Sequence, residues 1–159
     1  MVLIRRVRKS DKVPLLKLLR EFSTNTTLNR RIVPSKLFRL IKYKNYAAHW
    51  REEVDNYVKT GKRNEVLFIA EENGVLIGYI HGTVISQPKK VLNTIGYVND
   101  WFVMKKQRGK GIGKALWNKL LAWFKGKKCK ALELKVYPGN DPALKVYRKL
   151  GLIDKLVVM

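Results

Sequence analysis

The stretch Gln107-Arg108-Gly109-Lys110-Gly111-Ile112-Gly113-Lys114 stands between a β-rich run, about Ile95 to Met104, and a helical run, about Gly111 to Phe124. The helical run carries apolar residues at Ile112, Ala115, Leu116, Leu120 and Phe124. Glycines at such a junction let the backbone approach a ligand closely, and the free N–H groups of the helix's first turn face an anion that the helix dipole favours. The pattern is that of a phosphate cradle. It is not a Walker A loop, since no GxxxxGK[ST] is present, and the dinucleotide pattern GxGxxG fails because Ala115-Leu116 take the place of its third glycine. A plain strand-to-helix turn is the bland alternative, so the neighbouring elements decide.

Upstream, Val2 to Val7 is a short β-rich run, and Ser10 is a good N-cap for an apolar helical stretch with Val13, Leu15, Leu16, Leu18 and Leu19. Asn25 to Asn29 reads as loop, and Pro34-Ser35 opens a long helical segment that Gly61 is expected to end. Val66 to Ala70 and Val75 to Ile85 flank Asn73-Gly74, whose positive φ suits a tight hairpin turn. Downstream, Ala131 to Tyr137 is a strand, and Asp141-Pro142 looks like an N-cap with proline at the first helical position, leading to a helix that ends at Gly151. Leu152 to Met159 is expected to form a final strand. The order is β-α-α-β-β-β-α-β-α-β, which predicts an α/β fold: a mixed sheet of about six strands flanked by helices, as one domain over residues 1–159.

Composition narrows the function. Apolar residues make up 46% of 159, enough for a core, and no uncharged apolar stretch approaches the roughly 20 residues of a spanning helix, so no membrane insertion is expected. Arg5, Arg6, Arg8 and Lys9 are followed by no apolar h-region, which makes cytoplasmic residence the default expectation. The single cysteine, Cys129, has no partner for a disulfide and reads as inert, and His49 and His81 are too isolated in sequence to make a metal site. His49-Trp50 with Tyr43 and Tyr46 could line an acceptor pocket, although an aromatic helix face is more often core. The abnormal number is the net charge of +22, from 34 Lys and Arg against 12 Asp and Glu, which demands an anionic partner without choosing among nucleic acid, lipid, a phosphorylated cofactor and an acidic substrate.

Arg108-x-x-Gly111-x-Gly113 after the strand Asp100-Trp101-Phe102-Val103, followed by Asn140, Ala143, Tyr147, Leu150 and Gly151, resembles the GNAT family of N-acetyltransferases, and Asn99 to Gly113 is especially similar to its polyamine-type members. The resemblance covers the last two thirds of the chain closely and implies a GNAT-like sheet. It implies acetyl-CoA as cosubstrate, with the diphosphate on the N–H groups of Gly109, Lys110, Gly111, Ile112, Gly113 and Lys114, Arg108 at the loop's entrance, and the pantetheine arm lying like an extra strand beside Trp101, Phe102 and Val103. Lys105, Lys106, Lys110 and Lys114 add charge attraction. The Asn140 side chain would touch the pantetheine arm, and the Tyr147 hydroxyl would point at the thioester sulfur. The bland alternatives are a cap for Asn140 and core packing for Tyr147.

The implied reaction is direct transfer of acetyl to an amine, in which a base takes the ammonium's proton and an acid meets the departing thiolate. Tyr147 is the candidate acid; its ordinary pKa near 10 keeps it protonated at neutral pH. Asp100 is the candidate base or water-positioning residue, with Glu133 in reserve, and a backbone N–H near Val103 would serve as oxyanion donor. The acceptor is an amine-bearing small molecule or protein. Residues 105–149 hold 14 Lys or Arg against two acids, and further cations lie at Arg30, Arg31, Lys36, Arg39, Lys42 and Lys44, so an acidic or nucleic-acid-associated acceptor is a reasonable expectation. The chain departs from the family pattern after the tyrosine helix, where members commonly have a longer hairpin than Leu152 to Met159; a strand missing, compressed or supplied by a second subunit makes a homodimer expected. The competing reading is a basic nucleic-acid-binding module on the same fold that transfers nothing.

Overall fold

A computed structural model describes residues 1–25, 44–59 and 62–155. These fall into two compact units, one of residues 1–22 and 44–135 and one that includes 136–155, and the sheet belongs wholly to the first. Its elements are β1 (Val2–Arg6), α1 (Lys12–Asn25, as far as Phe22), α2 (Tyr46–Tyr57), β2 (Glu65–Glu72), β3 (Val75–Ser86), β4 (Thr94–Val103), α3 (Ile112–Gly126) and β5 (Ala131–Leu134); the second unit holds α4 (Asp141–Lys149).

The sheet runs β1-β2-β3-β4-β5, antiparallel throughout except for the parallel pair β4 and β5. The β2–β3 hairpin turns at Asn73 (φ 50) and Gly74 (φ 78), the two left-handed residues that a tight hairpin requires. Alternation along the strands serves two faces. On one, Leu67, Ile69, Tyr79 and Phe102 meet Leu15, Leu18 and Leu19 of α1 and Val54 and Tyr57 of α2 in one buried cluster. On the other lies α3, which buries Ile112, Leu116, Trp117, Leu120 and Phe124. Its close approach depends on two sheet glycines: a Cβ on Gly82 would stand 2.5 Å from Leu120 Cδ1, and one on Gly96 would stand 2.8 Å from two atoms of the Phe124 ring.

Several expectations change in detail. Among the described residues the sheet has five strands rather than about six: Leu152–Lys155 joins no ladder, and residues 156–159 lie outside the described residues. The expected long second helix is observed from Tyr46 to Tyr57, with Asn45 as its N-cap accepting from Ala48 N–H at 3.0 Å; residues 34–43 and Gly61 lie outside the described residues. Ser10 sits inside a short 3₁₀ turn, Lys9–Asp11, and Asp11 accepts from the Arg8 N–H (2.6 Å). Asp11 is preferred there because it also takes both terminal nitrogens of Arg5 at 2.8 Å, a forked pair that serine cannot make. The cap of α4 is Asn140, one residue before Asp141, so proline falls in the first turn but not at its first position. β5 stops at Leu134 rather than Tyr137, because β4 bends away from it beyond Val98.

Gly96→Ala is expected to destabilise the fold by about 1–3 kcal/mol, because the fully buried Phe124 ring has nowhere to retreat. Urea unfolding of the variant against the parent measures it, and an unchanged midpoint would mean that α3 is free to ride up on the sheet.

Candidate functional site

The Gln107–Lys114 stretch folds as the junction its glycines suggest. A 3₁₀ turn, Lys105–Gln107, leaves β4; Gly109 (φ +81) and Gly111 (φ +79) then adopt left-handed backbone that side chains avoid. Nothing lies within 4 Å of a Cβ built on either glycine, so the space in front of the loop is open. Gly111 is the N-cap of α3 and brings no side-chain acceptor, which leaves the first-turn N–H groups of Ile112, Gly113 and Lys114 without intrahelical partners. Lys105, Lys106, Lys110 and Lys114, in the same junction, are exposed. Arg108 holds the loop in shape: its Nε donates to the Val103 carbonyl (2.9 Å) and its guanidinium lies over the Phe102 ring at 5.8 Å. Gly113 is needed for packing, since a Cβ there would meet Trp101 Cζ2 at 3.2 Å, and Trp101 in turn stacks on Trp117 with centroids 5.2 Å apart. An uncapped helix start beneath two open left-handed glycines, in a junction rich in exposed lysines, fits a polyphosphate.

Beside this cradle, β4 has an unused edge. β5 pairs with Ile95 to Val98 only, so from Asn99 to Val103 the edge facing β5 lacks a ladder partner in this unit. Met104 N–H donates across to Ile77 O on β3 (2.9 Å), and strand alternation therefore turns the Val103 N–H toward the open edge. The edge suits an extended chain with its own amides.

The divergence has a single cause. In the β3–β4 ladder Gly82 faces Val98 while His81 faces Asp100, so Asn99 is an extra residue, a β-bulge. The bulge shifts the alternation and brings Tyr97, Asn99 and Asp100 together on one cleft. That cleft, of ≈ 500 Å³, lies within the first unit and is completed by Glu53, Asn56 and Tyr57 of α2 together with Lys62, Glu65 and His81. The Tyr57 hydroxyl reaches Glu53 Oε1 at 2.8 Å and Asp100 Oδ2 at 3.3 Å, while Glu65 accepts from Lys62 Nζ (2.8 Å) and contacts His81 Nε2 (3.0 Å).

The carboxyls of Asp100 and Glu65 are driven in opposite directions. Burial pushes Asp100 up to about 6, with Glu53 adding repulsion against the opposing pull of His81 and the Tyr57 hydroxyl. The His81 ring, followed by Lys62, holds Glu65 down at about 2 against its own burial. Burial also raises the Tyr57 hydroxyl far above its ordinary value, keeping it a proton donor.

Asp100, Trp101, Phe102 and Val103 thus lie on the bulged strand, and Arg108 to Lys114 form the cradle. Phe102 turns its side chain into the core. In the second unit, Asn140 Oδ1 accepts from the Ala143 N–H (3.4 Å), so its cap role is real, and Tyr147 lies within α4 on the face it shares with Leu144 by helical spacing. Glu133 is the ladder neighbour of Tyr97 and is not among the cleft-lining residues. His49 pairs with Glu53 (3.6 Å) and Tyr46 packs on Trp50, while Tyr43 lies outside the described residues. Burial raises the Cys129 thiol, which disfavours the reactive thiolate. Sequence reasoning missed Glu53, Tyr57 and Glu65 and discounted His81. Counting back along the hairpin from Asn73-Gly74 would have brought Glu65 near His81.

Among the described residues no helix is long and apolar enough to cross a membrane, and no three His, Cys, Asp or Glu side chains gather as a metal site. A sequence profile described as the acetyltransferase (GNAT) family matches residues 34–152. An uncharacterised N-acetyltransferase of Methanocaldococcus jannaschii is 34% identical over 100 residues, which are 61% of this chain and only 43% of that protein. The fold is similar to that of the aminoglycoside N-acetyltransferase AAC(6')-Iy in complex with CoA (TM-score 0.77, 17% identity, 100% of this chain and 92% of that one). It is similar also to a ribosomal-protein-alanine N-acetyltransferase from Brucella melitensis biovar Abortus 2308 (TM-score 0.70, 18% identity, 100% and 97%).

A carboxyl raised on folding favours the folded state when protonated, so the contribution of Asp100 is full below its ordinary range and is lost as pH rises through about 6. Thermal unfolding at pH 5 and pH 7.5 is expected to show a larger loss of stability for the parent than for Asp100→Asn. Equal losses would mean that Asp100 is solvated like a surface carboxylate.

Proposed function

Because the chain belongs to the acetyltransferase (GNAT) family, we propose that it moves an acetyl group from acetyl-CoA to an amine by direct attack, as one acetyltransferase domain over residues 1–159. The observation that carries the reading is the junction of the open cradle, the unpaired edge of β4 and the Asp100 cleft around one bulged strand. CoA is bound by the solved neighbour AAC(6')-Iy, a likeness that supports the fold and agrees with the cosubstrate.

Each part has a task that its chemistry suits. The first-turn N–H groups of α3, with Lys105, Lys106, Lys110 and Lys114, receive the diphosphate, where the helix dipole and the cations act together. The edge from Asn99 to Val103 pairs with the amides of the pantetheine arm, and the Val103 N–H, turned to that edge, polarises the thioester carbonyl. Asp100 accepts the ammonium proton: a carboxyl near 6 is mostly ionised at neutral pH yet more basic than an ordinary aspartate. Tyr147 returns a proton to the departing thiolate, and Asn140, its Oδ1 engaged with α4, offers its amide N–H groups to the pantetheine arm.

Calorimetric titration with acetyl-CoA in physiological salt, with ATP as anion control, tests the first step. Saturable binding preferred over ATP is expected, and it should be abolished by Gly111→Glu, which sets a carboxylate on left-handed backbone in front of the helix start. No preference over ATP would favour a basic module that merely collects polyphosphates.

For the chemistry, Asp100→Asn and Tyr147→Phe are each expected to lower kcat by on the order of 10²-fold or more. The parent's kcat/KM should rise with pH through about 6, a limb missing in Asp100→Asn. An unchanged kcat for either variant removes that residue from its role.

A further inference from the structure

The lysines of residues 105–114 belong to the junction at the Val103 end of β4; another group of lysines sits at the Thr94 end. There two tight connections meet. The β3–β4 connection closes with the Gln87 N–H donating to the Asn93 carbonyl (2.6 Å) and the Lys90 N–H to that of Gln87 (2.9 Å). The α3–β5 connection turns through Lys128 (φ 58), and the Lys130 N–H donates to the Thr94 carbonyl (2.9 Å), which joins the one connection to the other. Residues 87–94 and 125–131 together hold six lysines and no acid. Lys89, Lys90, Lys125, Lys128 and Lys130 are exposed and have no carboxylate partner among the described residues, while Lys127 lies over the Trp123 ring at 5.6 Å. Next to Lys90 in the β3–β4 connection, Val91 is 93% exposed and Leu92 49%.

β4 has ten residues, so its two ends stand about 30 Å apart at roughly 3.3 Å per residue. That is several times the distance of about 8 Å over which exposed charges act at physiological salt, so these lysines add nothing to anion binding at the cradle. We infer that this end of the sheet docks on an anionic lipid surface, with the Val91 and Leu92 side chains entering the headgroup boundary and the lysines meeting the anionic headgroups around them. The inference is independent of the acetyl transfer. Lysines without internal partners give up no ion pair on meeting an external anion, and the two closed connections present them with little backbone left to order. A nucleic acid would reward the lysines only, since Val91 and Leu92 offer no ring for a base to stack on and no side-chain donor for a phosphate. A bilayer rewards both, by burial of the aliphatic pair and by attraction of each cation to the negative leaflet. The contact is with the surface alone: among the described residues no helix is long and apolar enough to cross a membrane. The cradle, at the far end of β4, stays clear of it.

Co-sedimentation with vesicles in physiological salt tests it, phosphatidylcholine alone being compared with a mixture of phosphatidylcholine and phosphatidylserine. Binding to the anionic vesicles only is expected. Lys89→Gln with Lys90→Gln should lower that binding by roughly 25-fold, about fivefold for each lysine. Val91→Ser with Leu92→Ser, which keeps every charge, should lower it by about tenfold. Lys105→Gln with Lys106→Gln, the same charge change at the other end of β4, should leave it within about twofold. A short single-stranded RNA, titrated in the same salt, probes the other polyanion. No preference for the anionic vesicles, equal losses from the two lysine pairs, or binding indifferent to Val91→Ser with Leu92→Ser each overturns the inference. RNA held more tightly than the anionic vesicles, and lost in Lys89→Gln with Lys90→Gln, overturns it too and gives this end of the sheet to nucleic acid.

Discussion

The bulge at Asn99 is the constraint on which the site turns. Side chains of a strand alternate, so without the extra residue Asp100 would share the face of Val98 and Gly96, beneath α3. With it, Asp100 joins Tyr97 on the side of α2 and His81. The same residue bends β4 out of its ladder with β5, which ends at Val98. One irregularity therefore sets a carboxylate in a cleft and leaves a backbone edge unpaired next to it, and neither feature requires a flexible loop.

Around that strand the protein separates two tasks by polarity. The cradle is built of backbone donors beside exposed lysines; the cleft gathers Glu53, Glu65 and Asp100 with Lys62 and His81 beside them. Within the cleft, Glu65 and Asp100 show how neighbours set chemically similar groups apart: donors from two sides hold the Glu65 carboxyl down, and burial beside another acid pushes that of Asp100 up to about 6. The cost is local. An ionised Asp100 opposes folding, and the Arg5 fork to Asp11, with Glu71 as second partner, is among the interactions at the sheet's other edge that oppose that loss.

Much of the fold was legible because its signals are local. Asn73-Gly74 announced the hairpin, the apolar spacing of Ile112 to Phe124 announced α3, and Gly109 and Gly111 announced a backbone that ordinary residues avoid. Caps were less readable: Ser10 falls inside a 3₁₀ turn whose backbone is held by Asp11 together with Arg5, and Asn140 took the cap that Asp141 seemed to offer. The cradle could be read from eight consecutive residues, whereas the cleft could not. Glu53, Tyr57, Glu65 and His81 come from three separated segments, and only the register of the sheet and the placement of α2 bring them to Asp100. A bulge, finally, has no composition of its own, and Asn99 looks like any polar strand residue.

The stack of Trp101 on Trp117, with Gly113 pressed against the first indole, joins the strand to the helix by aromatic contact. Two indoles at such a separation share excitation, and their emission depends on how they overlap. A small displacement of either element would alter that overlap, so the molecule carries an optical gauge of its own between β4 and α3.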